Sequence, residues 1–176
     1  MGLLNAVKTK KNILKLLVSL AVPLLAGFIG SIFTTPKINT WYASLNKPAF
    51  NPPNWLFGPV WTILFLLMGV ALFLVWIKES KSKKSSSDYI KFHLLKKYAL
   101  LAFGIQIALN TLWSVFFFGL ESPWLGVIGI FFLVIAIITN IVLFYRIEPK
   151  SAYLLIPYIA WVSFATILNI AIAVLN

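Results

Sequence analysis

Residues 122–145 read SPWLGVIGIFFLVIAIITNIVLFY, a run of 24 residues without Asp, Glu, Lys, Arg or His. A bilayer core of about 30 Å is crossed by roughly 20 helical residues, so this run is long enough to span a membrane. Because lipid offers no hydrogen bonds, the backbone of such a run has to satisfy itself, which favours a helix. The run therefore predicts a transmembrane α-helix.

Four other runs also lack these five residue types, at 16–33, 55–77, 98–120 and 151–176. The chain of 176 residues is 61% apolar and 11% charged, which is typical of a membrane protein, and it contains no cysteine for a disulfide framework. We predict an all-α membrane protein, a bundle of five transmembrane helices in a single domain of residues 1–176. The predicted spans are about 13–33, 55–77, 97–119, 123–145 and 151–175.

The net charge of +11 is distributed very unevenly over the predicted loops. Thirteen of the 15 Lys and Arg residues lie in 8–15, 78–97 or 146–150, and only Lys37 and Lys47 lie on the other side. This bias predicts a cytoplasmic N-terminus and an outside C-terminus. It also explains the basic composition without nucleic acid as a partner. A signal peptide is the alternative for the first span, but the length of the run favours an uncleaved anchor.

The first predicted loop, 34–54, is unusually apolar and stiff. Residues 41–61 read WYASLNKPAFNPPNWLFGPVW, and the prolines at 48, 52, 53 and 59 oppose a regular helix over most of this stretch. A loop so rich in aromatic residues is a poor choice for bulk water. We therefore expect it to lie at the membrane surface and to cover whatever the flanking helices enclose.

The third span carries a polar stripe. Gln106, Asn110, Trp113 and Phe117 are spaced i, i+4, i+7 and i+11, which places them on one face of a helix. Amides are costly to expose to lipid, so this face should point into the protein. Two interpretations stay open: the amides line a binding site, or they only tie helices together.

Gly104 and Ala108, joined by Thr111, lie on the opposite face of the same span. Small residues four positions apart allow two helices to approach closely. We therefore predict this face as a contact with another helix, in this chain or in a second copy of it.

Aromatic residues of three spans are predicted to enclose a cavity. Trp61, Phe65 and Met68 share a face of the second span, and Tyr158, Ala165 and Asn169 share one of the fifth with Trp161 beside them. In the predicted orientation Trp61, Asn110, Trp113, Phe164 and Asn169 all lie in the outer half, below the 34–54 loop. Such a cavity suits a large, flat, apolar ligand.

The ionisable residues do not suggest an ordinary enzyme. His93 stands alone beside lysines, and the four carboxylates, Glu79, Asp88, Glu121 and Glu148, are all in predicted loops. The sequence shows no carboxylate pair within the bilayer, no nucleophile–base pair and no cluster of metal ligands. Hydrolytic or acid–base chemistry is therefore disfavoured, and no metal or required cofactor is predicted.

Several motifs together resemble the TspO/translocator protein family, also called tryptophan-rich sensory proteins or peripheral-type benzodiazepine receptors. They are WY-x-x-L-x-KP-x-F-x-PP at 41–53, F-x-x-VW at 57–61, Q-x-x-LN-x-x-WS at 106–114 and L-x-PY-x-AWVSFAT-x-LN at 155–169. The resemblance runs in order over nearly the whole chain. It implies a single TspO-like five-helix domain, often a homodimer, whose pocket binds porphyrins, haem-related tetrapyrroles and other flat hydrophobic molecules.

Carried over by position, the resemblance implies pocket roles for Tyr42, Pro52, Trp61, Asn110, Trp113, Ser114, Ala160, Trp161 and Ala165. It also makes Trp61 and Trp161 candidates for the light-dependent breakdown of porphyrin that bacterial members carry out. The leading hypothesis is thus a membrane receptor or translocator of tetrapyrroles with a sensory or regulatory role. The alternatives are a porphyrin-degrading protein and a structural membrane subunit with a vestigial pocket.

Overall fold

The computed structural model describes residues 9–82 and 86–176. Within them, five helical segments are long and apolar enough to cross a membrane. In chain order the helices are α1 (Lys10–Ile38), α2 (Trp41–Ser44), α3 (Asn54–Ile77), α4 (Ser87–Ser114, continued by a π-helical turn, Val115–Gly119), α5 (Pro123–Ile147), α6 (Pro149–Tyr153) and α7 (Ile156–Leu175). The predicted all-α, five-span fold is confirmed, with α6 and α7 together forming the fifth span.

Hydroxyl side chains mark the beginning of three of the spanning helices. Thr9, Ser86 and Ser122 each accept a hydrogen bond from the backbone N–H three residues later, at 3.2–3.3 Å. Such caps satisfy N–H groups that have no partner within the helix. Pro123 follows the third cap at the first helical position, where its missing N–H costs little.

Some boundaries differ from those expected from the sequence. The first loop is shorter than 34–54, because α1 continues to Ile38 and α2 occupies part of the remainder. Pro36 in the last turn of α1 and Pro59 in the second turn of α3 each remove one hydrogen bond without ending the helix. Helix α4 begins ten residues before the predicted span. An uncharged run indicates which residues lie in the hydrocarbon of the bilayer, but the helix can extend beyond them into the headgroup region.

Close helix contacts hold the bundle together. A Cβ atom on Gly69 of α3 would lie 2.8 Å from the Cα of Leu20 and the carbonyl oxygen of Ser19, so only glycine allows α1 to approach this closely. On the other side of the bundle, Phe103 of α4 stacks on Phe144 of α5 with ring centroids 5.9 Å apart. These contacts place α1 and α3 together and α4 beside α5.

The bundle has a lysine-rich end and a loop end. At the lysine-rich end Lys78 pairs with Glu148, and this hydrogen bond, more than any other influence, lowers the pKa of the Glu148 carboxyl. At the loop end Lys37 of α1 pairs with Glu121, next to the start of α5. Three lysines used in the charge comparison, Lys8, Lys83 and Lys84, lie outside the described residues. The orientation of the two ends across the membrane stays a prediction from charge.

Candidate ligand-binding cavity

At the loop end of the bundle, α4 widens into a π-helical turn, Val115–Gly119. The N–H of Leu120 donates to the carbonyl of Val115 at 2.8 Å, a span of five residues where an α-helix has four. Phe117 and Phe118 in this turn are both buried, in edge or tilted contact with the rings of Trp41 and Tyr42. The turn thereby anchors the short helix α2 over the loop end of the bundle.

A cavity of about 560 Å³ lies beneath α2, between α1, α3, α4 and α7. Its volume falls within the range of about 300–1,000 Å³ that is usual for small-molecule sites. Eight of the residues predicted for the ligand site line it: Tyr42, Trp61, Phe65, Asn110, Trp113, Ser114, Trp161 and Ala165.

Three half-buried tryptophans on different helices line the cavity. Trp61 stacks on Phe65 at 5.5 Å between ring centroids, and Trp113 stacks on Phe117 at 5.3 Å. Trp161 meets Phe57 edge to face at 6.0 Å. All three residues are half-buried, so part of the surface of each remains exposed. A flat ring entering the cavity would find stacking surface on three helices.

Hydrogen bonds orient the polar side chains around these rings. Asn110 donates to the hydroxyl of Tyr158 at 3.0 Å, and the indole N–H of Trp113 donates to Oδ1 of Asn169 at 3.0 Å. The amide nitrogen of Asn169 in turn donates to the carbonyl of Pro123 at 2.9 Å. By contrast, the buried indole N–H of Trp161 has no hydrogen-bond partner among the described residues. This unpaired donor is buried behind the cavity surface.

The first loop packs over the end of α7. Asn46 and Asn176 exchange two hydrogen bonds, at 2.9 and 3.0 Å, and Lys47 donates to three carbonyls of residues 42–45. The hydroxyl of Tyr42 donates to Asn51 at 2.7 Å, and burial raises its pKa to about 12. Of this region, only Tyr42 of α2 reaches the cavity wall, while residues 45–53 form the layer outside it.

Four residues predicted for the site do not line the cavity. Pro52 belongs to the outer layer of the loop, Ala160 is exposed on the outside of α7, and Phe164 packs between Phe50 and Trp161. The fourth, Gln106, is fully buried one turn below Asn110. Gln106 and Phe164 were inferred from sequence register, which does not distinguish a cavity wall from the shell behind it, whereas Pro52 and Ala160 were implied by the family resemblance.

The two amides of the α4 stripe have different surroundings. Gln106 accepts a hydrogen bond from Asn140 of α5 at 2.7 Å and contacts the sulfur of Met68 on α3 at 3.4 Å. It therefore ties three helices together, as one of the two interpretations of the stripe proposed. Asn110 lies on the cavity wall, as the other proposed.

The wall formed by α1 was not predicted from the sequence. Gly27, Gly30, Ser31 and Thr34 line the cavity at helical spacing, i, i+3, i+4 and i+7. This stripe of small residues was the available signal. The neighbouring Phe28 also lines the cavity and is 65% exposed, so this side of the cavity reaches the outer surface of the bundle.

The face of α4 proposed for helix contact is open. Gly104 and Ala108 are exposed, and a Cβ atom on Gly104 would have no neighbour within 4 Å. Thr111, which was expected to extend this face, turns instead towards α1 and donates to the carbonyl of Ala26 at 3.3 Å.

Among residues 9–82 and 86–176, no three His, Asp or Glu side chains are grouped so that they could hold a metal ion.

A model of the TspO/MBR family matches residues 19–175 of this chain. The chain is 43% identical over 169 residues to the "Tryptophan-rich protein TspO" of Archaeoglobus fulgidus, covering 94% of this chain and 99% of that protein. It is 40% identical over 166 residues to the protein of the same name from Chlorobaculum tepidum, with 94% and 98% covered. It is 35% identical over 150 residues to the "Translocator protein" of Homo sapiens, with 84% and 81% covered.

Proposed function

Because the chain belongs to the TspO/MBR family, we propose that it is a membrane receptor or translocator whose cavity binds tetrapyrroles. Protoporphyrin IX and haem-related pigments are the ligands considered first, and other flat hydrophobic molecules share their shape. The proposed role is sensory or regulatory, in the handling of porphyrins within a lipid bilayer.

The observation that carries this proposal is the cavity of about 560 Å³ with indoles on three helices, Trp61, Trp113 and Trp161. A tetrapyrrole is a broad, flat, conjugated ring, which favours stacking on aromatic side chains over contact with flexible aliphatic ones. The exposed edge at Phe28 offers a route for a ligand that is already dissolved in the bilayer.

Polar groups at the cavity wall complement the edges of such a ring. The Ser114 hydroxyl and the Asn110 amide line the cavity beside the indoles. An acceptor at a ligand edge can accept from the Asn110 amide or the Ser114 hydroxyl. These groups also explain why a plain hydrocarbon would be a poorer ligand than a ring with oxygen- or nitrogen-bearing edges.

The test is a titration of purified protein with protoporphyrin IX, followed by quenching of tryptophan fluorescence. Stacking on one aromatic side chain contributes about 1–3 kcal/mol by analogy with nucleic-acid bases. Trp61→Ala should therefore weaken binding by roughly tenfold or more. Trp124→Ala is the matched control, because Trp124 is 59% exposed and does not line the cavity.

Equal losses in the two variants would contradict the proposed site, since general destabilisation would then explain both. Absence of saturable quenching in a well-folded wild-type protein would contradict porphyrin binding itself. That result would favour the alternative of a structural membrane subunit with a vestigial pocket.

Light-dependent degradation of porphyrin is a second candidate function. Trp61 and Trp161 line the same cavity, so two oxidisable indoles would contact one bound ring. Trp161→Phe should keep most of the affinity, because the phenyl ring still stacks, but it should suppress any loss of porphyrin absorbance under illumination. If bound porphyrin persists unchanged in illuminated wild-type protein, degradation is excluded and only the receptor or translocator function remains.

A further inference from the structure

A second recess lies at the lysine-rich end of the bundle, opposite the ligand cavity. It has a volume of about 400 Å³ and is lined by Lys15, Trp76, His93, Lys96, Lys97 and Leu100. These residues come from α1, α3 and α4, and we refer to the recess as the basic groove. No carboxylate lines it, although Glu79 is close enough to act on the charge of Lys96.

Two of the lysines in the basic groove are held in place by the fold. The ammonium group of Lys96 donates to the carbonyls of Trp76 and Lys78, at 2.7 and 2.8 Å, where α3 ends. The ammonium group of Lys15 lies 5.9 Å from the centroid of the Trp76 ring, a cation–π contact. Neither of them, nor Lys97, forms an ion pair with a carboxylate among the described residues.

The helix ends around the basic groove indicate that it lies at the level of the lipid headgroups. The uncharged runs of α1 and α4 begin at Leu16 and Tyr98, next to the groove's lysines. Trp76 lies one residue before the end of α3, where tryptophan commonly marks the membrane–water interface. An anion seated among these lysines would therefore have water on one side and hydrocarbon on the other.

We propose that the basic groove binds the phosphate of an anionic phospholipid headgroup. Three lysines provide positive charge for the phosphate, His93 adds a hydrogen-bonding group, and basic recesses between transmembrane helices suit such headgroups. The indole of Trp76 and the side chain of Leu100 provide an apolar floor against which the beginning of an acyl chain can pack. A free phosphate ion shares the charge but would make no use of this floor.

The experiment measures lipid binding to the purified full-length protein in neutral detergent by native mass spectrometry. Dioleoylphosphatidylglycerol is titrated against dioleoylphosphatidylcholine, which has the same acyl chains and no net charge. The test variant is Lys15→Gln/Lys97→Gln, which spares Lys96 and its bonds to the end of α3. Its control is Lys10→Gln/Lys81→Gln, since these lysines are exposed, lie near the same end and do not line the groove.

We expect wild-type protein to retain phosphatidylglycerol in preference to phosphatidylcholine. Near a membrane each lysine contributes about 1 kcal/mol, or about fivefold, so the test variant should lose about 25-fold in affinity for phosphatidylglycerol. The control should lose much less. Inorganic phosphate at millimolar concentration should displace phosphatidylglycerol weakly or not at all.

Three results would overturn the proposal. The first is equal retention of the two lipids by wild-type protein. The second is an equal loss in the test and control variants, which would indicate general attraction to the charged end. The third is tight binding of inorganic phosphate with no preference between the lipids, which would assign the groove to a soluble anion. Melting curves and gel filtration of each variant separate loss of binding from loss of folding.

Discussion

Two alanines of α7 allow the position of the ligand cavity to be tested with the same chemical change. Ala165 is half-buried on the cavity wall, whereas Ala160 lies 1.4 turns earlier and is exposed on the outside of the bundle. Replacing either with leucine adds three carbon atoms to the same helix. In Ala165→Leu these atoms occupy space that the ligand needs, and in Ala160→Leu they face lipid.

The expected loss can be estimated from the cost of overpacking. Extra methylene groups forced into a filled site typically cost about 1–3 kcal/mol, which corresponds to a rise of about 5- to 140-fold in the Kd for protoporphyrin IX. Without ligand the cavity of about 560 Å³ has room for the added carbons, so the melting temperature of Ala165→Leu should not fall. Fluorescence titration and thermal unfolding measure these two quantities.

The comparison can refute the assigned cavity in two ways. If Ala165→Leu binds porphyrin as tightly as the wild type, the ligand does not occupy this space. If Ala160→Leu weakens binding by the same factor, the binding surface includes the outside of α7. In that case Ala160, and the other predicted residues that lie outside the cavity wall, would have to be counted as part of the site.

Three further predictions follow from packing and charge. Gly27→Ala should destabilise the protein by about 1–3 kcal/mol in thermal unfolding, because its Cβ would lie within 3 Å of the Phe65 side chain. Its control is Gly104→Ala, which has no neighbour within 4 Å and should be neutral or stabilising. If α4 carries the self-association face, Gly104→Ile/Ala108→Ile should reduce crosslinked dimer, and an unchanged dimer fraction would exclude this face. The chain has no native cysteine, so Ser82→Cys and Asn39→Cys can each be labelled selectively with impermeant thiol reagents. The two positions should react from opposite sides of the membrane, with position 82 on the cytoplasmic side. Labelling of both from one side would contradict the predicted orientation.

Features that depend on polarity could be predicted from the sequence. One face of α4 carries two amides and two aromatic rings. Because amides are costly to expose to lipid, this face was predicted to be buried, and Gln106, Asn110 and Phe117 are indeed buried. The runs without charge identified the spans for the same reason, since each charged side chain in hydrocarbon is costly. Of the eight predicted residues that line the cavity, Asn110 and Trp113 belong to this face, whereas Tyr42 and Ser114 were implied only by the family resemblance.

Features that depend on shape could not be predicted in this way. Gly27 and Gly30 have no polar side chain that would mark them as part of a site. Their place in the cavity wall is evident only from their close contacts with Phe65 and Ser114. Gln106 and Asn110 look equivalent in sequence, yet one has Asn140 as its partner and the other lies on the cavity wall. Which neighbour reaches a given amide depends on the crossing of helices that are distant in the chain.

The widened turn at Val115–Gly119 has a consequence for tolerated changes in chain length. A π-helical turn accommodates one residue more than an α-helical turn, so the segment has the form of a single-residue insertion. Deleting one residue there would restore α-helical spacing and leave the residues beyond it in nearly the same orientation, because the widened turn already absorbs the extra residue. A deletion from the regular part of α4 would instead rotate everything beyond it by about 100°. The loss at the widened turn would be local, since four residues in place of five could not keep both Phe117 and Phe118 against α2. A single-residue deletion should therefore be tolerated better within Val115–Gly119 than in the preceding part of α4.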